Sequence, residues 1–245
     1  MRSTMRAMTF LALTLSAANA RAQNPGLPVY NSGVPRGIAI YGDLGFPNDQ
    51  AGGGTAYGAT GKAGFGLLGV TATISSFDPG GTSDNEISLG GTLNYRLLGG
   101  PLVPLSVTLQ AGASWLKLSD GIDVGGIQTG RAPSGAGFST VPTPLPDGVE
   151  LTSYRFPIGI GFALVIPNPV LSIHPWLAPR VDINYRKAGD VSNTDTNFGL
   201  SGGLELNLLN GFGVQAAYDR VFASDVSDPG TFGIGAHYAF RVPGL

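Results

Sequence analysis

Cysteine is absent from the 245 residues. Without a thiol the chain forms no disulfide, offers no thiolate to a metal and carries no lipid on a cysteine. Charge is scarce too: Asp, Glu, Lys and Arg make up 12% of the residues, about half the usual share of roughly 25%. A water-soluble exterior needs more. Basic residues are not in excess, with 14 Lys and Arg against 16 Asp and Glu, so nucleic acid is not an expected partner. Beyond the first residues no uninterrupted apolar run approaches the roughly 18 residues of a membrane helix. Gly-rich segments exist, such as 52–54 and 61–69, but no helix-forming stretch with a Lys-Ser/Thr pair follows them. They read as turns and sheet kinks, not as phosphate loops.

The chain starts with Arg2 and Arg6, then a short apolar run from Ala7 to Leu15, then small and polar residues from Ser16 to Ala22. The run is too short to span a bilayer. With its flanks it reads as a signal peptide over 1–22 for the general secretory pathway, cleaved after Ala22. Loss of Arg2, Arg6 and Arg21 deepens the acidic balance. Residues 23–35 are rich in Pro and Gly and read as an extended tail.

What the chain has in quantity is alternation. In Leu105-Ser106-Val107-Thr108-Leu109-Gln110-Ala111-Gly112-Ala113-Ser114-Trp115 the odd positions are apolar and the even ones small or polar. A period of two marks a β-strand with unlike faces. Ten such strands are predicted: 36–44, 55–65, 70–77, 86–97, 105–118, 151–166, 171–186, 197–208, 212–222 and 231–242. The connections at 66–69, 98–104, 167–170 and 209–211 are short, the last carrying the hairpin pair Asn210-Gly211. Those at 46–54, 78–85, 119–149, 187–195 and 224–230 are longer. This alternation requires an even strand number with both termini on the short-turn side. Eight strands remain the alternative if 55–65 and 70–77 do not cross. Pro175 and Pro179 fall on the outward face of the seventh strand, where a missing N–H predicts a bulge or a locally broken ladder.

Only helices and closed barrels satisfy the backbone in lipid. With no helix available, the expected fold is all-β: a closed antiparallel up-and-down transmembrane barrel over 36–242, apolar outside and polar within. A soluble barrel would reverse the faces, but Gly, Ala, Ser and Thr are poor material for a soluble exterior. Aromatics near strand ends on the apolar face, namely Tyr57, Tyr95, Trp115, Tyr154 and Tyr185, suit girdles at headgroup level. In this reading 23–35 is a periplasmic tail and 243–245 a short C-terminal one.

The last strand, Gly235-Ala236-His237-Tyr238-Ala239-Phe240, resembles the C-terminal assembly signal of Gram-negative outer-membrane barrels. Gly235, Tyr238 and Phe240 hold the matching offsets, although here the chain continues past the aromatic residue through Pro243. In architecture the mature chain resembles the small outer-membrane barrels of the OmpA-type and opacity-type group. The resemblance implies residence in the outer membrane, contact with its lipid and recognition by the barrel assembly machinery. It does not imply an activity, because that group is defined by fold and carries many. A monomer is expected.

The inward positions collect the charge: Asp43, Lys62, Glu86, Arg96, Arg155, His174, Arg180, Asp182, Arg186, Glu205, Asp219 and His237, together with Tyr41 and Arg241. Both signs are present, so pairing that fills the lumen is expected. The alternative is a narrow passive channel whose basic stripe on the seventh strand favours anions. An embedded hydrolase is the third reading. The two histidines fall toward the short-turn half, away from a rim carboxylate, and no serine partner presents itself at a suitable spacing. The expectation is a non-enzymatic structural or surface-interaction barrel with no cofactor and no metal site. The long segment 119–148 is the candidate for outside contact, since loops carry function on rigid scaffolds.

Overall fold

A computed structural model describes residues 24–35, 37–78, 85–100, 103–118, 151–168, 170–188, 191–222 and 228–240. The expected signal peptide, the whole 119–149 loop, Arg241 and the 243–245 tail lie outside them. The strands are β1 (Gly37–Pro47), β2 (Thr55–Phe65), β3 (Leu68–Asp78), β4 (Glu86–Gly100), β5 (Val103–Leu118), β6 (Leu151–Leu164), β7 (Ile166–Pro167), β8 (Leu171–Ala188), β9 (Val191–Leu208), β10 (Phe212–Phe222) and β11 (Gly230–Phe240). A short 3-10 turn, Asp49–Ala51, follows β1.

Each strand pairs with its neighbour in antiparallel register. β1 with β11 and β6 with β8 close the sheet into a barrel of ten strands. β7 is an extra two-residue piece, paired to β8 in the register that β6 already follows. The period-two pattern of the sequence becomes the two faces of the wall. Ile38, Ile40, Leu44 and Phe46 of β1 point out; Ala39, Tyr41 and Asp43 point in and are buried. The contrast is wide, from Ile87 at 60% exposed to Asp182 at 0%. A closed barrel leaves no edge along its paired length.

Proline leaves its mark on two ladders. Pairing of β6 with β8 skips Ala178 and Pro179, and pairing of β5 with β6 skips Phe156 and Pro157, both without a register shift. The ladder from β8 to β9 runs unbroken past Pro175 and Pro179. The outcome is a locally broken ladder on one side, with no bulge there. A register shift does occur in β4, around Leu98.

Two expectations are corrected. The segment 187–195 is not a loop: β8 and β9 continue as a hairpin up to Ala188 paired with Val191. Above the apolar band both faces of a strand meet water, so Ser192, Asn193, Thr194 and Asp195 lose the alternation that marks a strand, yet the backbone still pairs. β10 stops at Phe222, opposite Phe198, so this hairpin stands above that side of the barrel.

The second correction concerns the N-terminal tail. Residues 24–35 do not lie outside the barrel; they run through its lumen. Leu27, Val29 and Asn31 are buried. Gly26 and Leu27 lie at the long-loop end, beside Gly45, Ala56 and Phe77. Val34 and Pro35 lie at the short-turn end, beside Gly64 and Gly69. There Gly37, at φ 80°, turns the chain into β1, a conformation few other residues adopt. A lumen of this width is not filled by side chains alone when so many of them are glycine, because barrel diameter grows with strand number. The segment occupies what remains.

Candidate functional site

Among the described residues most of the charge is gathered in the interior, and the structure shows how that charge is used. β6, β8 and β10 carry the first group. Arg155 pairs with Asp182. Arg180 donates from Nε to Asp182 at 3.0 Å and from Nη2 to Asp219 at 2.7 Å. All four side chains are buried. Gly199 of β9 makes this possible: a β-carbon there would meet Asp182 Oδ2 at 2.6 Å and Arg180 Cζ at 2.8 Å. Arg186, higher on the same wall, reaches Asp195 at 3.5 Å.

The second group lies lower, on β1, β2, β8, β9, β10 and β11. Lys62 Nζ sits 3.8 Å from the centre of the Tyr41 ring, and Tyr41 stacks on His237 with centroids 4.5 Å apart. Asp43 accepts a hydrogen bond from Gln215 at 2.6 Å. Asn207 donates to Glu205 at 3.1 Å, and its side chain bonds both histidines, at 2.8 Å to His237 and 3.4 Å to His174. On β4, Arg96 is half-buried toward the short-turn end, and Glu86, opposite Phe77, is buried at the long-loop end.

The luminal segment is tied into both groups. Val29 N–H donates to Asp219 at 2.8 Å and Ser32 Oγ to Glu205 at 2.9 Å. Arg96 and Gln110 donate to the carbonyls of Val34 and Tyr30, each at 3.1 Å. Asn24 donates to Ser75 at 3.2 Å. Apolar contacts add to these. Leu27 packs with Ala56 and Phe77, and Tyr30 packs against Trp176, Ala163, Ala178 and Ala217. A small cavity of about 30 Å³ remains beside Tyr30, Asp43, Thr60 and Lys62, room for about one water molecule.

Sequence reasoning missed Ser32, Asn207 and the whole segment that brings Ser32 in. A serine does therefore stand near Glu205, whose Oε1 lies 4.0 Å from His237 Nε2. The order is wrong for nucleophilic catalysis, which needs the serine on the histidine. Ser32 donates to the carboxylate instead, and His237 Nε2 is engaged by Asn207. Among the described residues no three His, Asp or Glu side chains are grouped to hold a metal.

On the outer face the aromatics form two levels. Tyr57, Trp115, Tyr154 and Tyr185 stand toward the long-loop end, and Trp115, Tyr154 and Tyr185 face one another across β5, β6 and β8. Phe65, Tyr95, Phe212, Tyr238 and Phe240 stand toward the short-turn end, where Tyr238 meets Phe212 and Phe240 edge-on at 4.8 and 4.9 Å. Gly235 lies in β11 against Asp43, whose carboxylate fills the place of a β-carbon.

These features, an apolar wall with aromatic levels around a charged interior, are those of a membrane-spanning barrel, and comparison with known proteins agrees. No curated protein sequence matches the chain. Solved structures with a similar fold include the outer membrane protease OmpT of Escherichia coli, 10% identical, over 84% of this chain and 94% of that one, with a TM-score of 0.39. The attachment invasion locus protein Ail of Yersinia pestis is 14% identical over 84% and 100%, with a TM-score of 0.34. The β domain of the Bordetella autotransporter BrkA is 13% identical over 83% and 98%, with a TM-score of 0.47. Identities this low speak to fold alone, and the three differ in what they do. The model of the outer membrane protein beta-barrel domain matches residues 8–240, and with that match the chain belongs to this family of outer-membrane barrels.

Proposed function

We propose that this protein is a non-enzymatic outer-membrane barrel with a structural or surface-interaction role and a sealed lumen. One observation carries the reading: residues 24–35 occupy the lumen along its height, hydrogen-bonded to both charge groups. The segment packs against glycines on several strands, at Gly45, Gly58, Gly64 and Gly233, which supports a lumen closed to solute. The charge groups pair internally, as expected of side chains that brace a barrel. The short-turn end faces the periplasm, following the habit of short periplasmic turns and long external loops. The β8–β9 hairpin then stands outside the cell. Export through the general secretory pathway with cleavage near Ala22, recognition of the last strand by the assembly machinery, and a monomeric state complete the proposal.

Conductance of the purified full chain in planar bilayers tests it. The expected result is silence. Reproducible single-channel steps from the full chain overturn the sealed-lumen reading.

A further inference from the structure

The seal is a separate part of the molecule from the wall. The β1–β11 ladder that closes the barrel runs from Ile38 paired with Phe240 to Pro47 paired with Thr231, and no residue of 24–35 pairs into any strand. Removing the segment therefore deletes no rung of the barrel. What it leaves behind is a track. β-Carbons built at Gly45 and Gly64 would collide with the carbonyls of Gly26 and Pro35. One at Gly58 would lie 2.5 Å from Leu27 Cδ1, and one at Gly233 would lie 2.6 Å from Pro28 Cδ. At these positions the wall has no side chain with which to refill the space. The segment runs from Gly26 against Gly45 to Pro35 against Gly64, which pairs with Gly37, so the vacated track follows β1 from one end of its paired length to the other.

Two further observations bear on whether the segment can leave. The Asn31 side chain is buried with neither its amide nitrogen nor its oxygen hydrogen-bonded. Such a group gains partners when it meets water. The apolar anchors are small in number and local: Leu27 against Ala56 and Phe77, and Tyr30 against Trp176 and its neighbours.

We propose that the barrel is a pore held shut in cis: displacing residues 24–35 opens a passage for small neutral polar solutes. The solute class follows from the uncovered wall. Thr60, Thr73, Ser75, Thr92, Thr108 and Gln110 present hydroxyls and amides along β2 to β5, where the inward charges Lys62, Glu86 and Arg96 are of both signs, while the Arg155, Asp182, Arg180 and Asp219 charges cancel one another on the opposite wall. A lining rich in hydroxyls, with charges of both signs, passes polyols and small sugars with little preference for either sign of ion.

The inference rests on the sealed-lumen reading and is tested apart from it. Three proteins go into liposomes and planar bilayers: the full chain, a chain lacking residues 24–35, and the full-length L27G/Y30G variant, which keeps the backbone but loses both anchors. Folding is checked for each by β-sheet circular dichroism and by the migration shift on heating. Since the chain has no cysteine, N24C/G90C serves as a disulfide-locked control, because a β-carbon at Gly90 would touch the Asn24 side chain. The expected result is a silent full chain and locked variant, single-channel steps from the deletion, and at least tenfold faster liposome swelling with small sugars. A synthetic peptide of residues 24–35 should block those steps. A folded deletion or folded L27G/Y30G barrel that neither conducts nor swells liposomes overturns the latent pore and leaves the sealed-lumen reading standing. Conduction by the locked variant overturns both.

Discussion

Arg180 on β8 bonds Asp219 on β10 at 2.7 Å across the whole width of β9. The contact exists because Gly199 of β9 presents nothing between them. Asp219 also accepts the Val29 N–H, so one carboxylate joins two strands and the luminal segment.

Replacing Asp219 by Ala should therefore cost about 3–5 kcal/mol, the range for removing one member of a buried ion pair. The urea unfolding midpoint of the lipid-reconstituted barrel is the measurement. The double change Arg180→Met with Asp219→Leu should cost less than Asp219→Ala alone, because no charge is left unpaired. Equal losses from the single and the double change would contradict the pairing.

Gly64→Leu should expel the lower end of the luminal segment, since its β-carbon would collide with the Pro35 carbonyl. The barrel wall should stay intact and resist protease. Chymotrypsin should then cut near Tyr30 in the variant and not at that site in the native protein. A variant as resistant as the native chain would contradict the close packing seen here.

Gly235→Ala and Phe240→Ala should separate packing from recognition. Gly235 abuts the Asp43 carboxylate, whereas Phe240 is exposed on the outer face. Spontaneous refolding into detergent, without any assembly machinery, should be impaired for Gly235→Ala and near normal for Phe240→Ala. If both refold alike, Gly235 has no packing role.

His237→Ala should leave any hydrolysis of ester or peptide substrates at the background of the native protein, because Ser32 bonds Glu205 and not the histidine. Activity in the native protein that disappears in the variant would establish an enzyme. The same substitution removes the ring stacked on Tyr41 and should lower stability by about 1–3 kcal/mol, the usual span for a lost buried partner.

Much of the wall was legible because lipid and lumen impose opposite chemistry on alternate residues. Ile87, Leu89 and Leu93 against Glu86, Ser88 and Thr92 leave β4 no other reading. The upper parts of β8 and β9 were not legible, since water on both faces erases that contrast. The luminal segment was hidden for a different reason. Prolines 25, 28 and 35 with Gly26 and Gly33 have the composition of a solvated tail, and nothing local says that a tail is buried. The signal lay elsewhere, in the wall. Gly45, Gly58, Gly64, Gly69 and Gly233 face inward, and Phe77 and Trp176 are large apolar groups turned toward a polar interior. A barrel that wide with so little filling, and with apolar groups waiting inside, needs a further chain segment. The pairing of Arg155, Arg180, Asp182 and Asp219 followed from their shared face, but the bridging by Asn207 needed the register of β8, β9 and β11.

The direction of the luminal segment also orders events in time. It descends from the long-loop mouth and turns at Gly37 straight into β1, the strand that completes the ring by meeting β11. A sheet that curls around residues 24–35 before β1 and β11 meet encloses them at no extra effort. A ring already shut would have to draw a folded-back thread in through its mouth, against the loop closure it has just completed. Refolding is therefore expected to bury Tyr30 before the β1–β11 rungs from Ile38 with Phe240 form, which pulse-labelled hydrogen exchange of those amides checks.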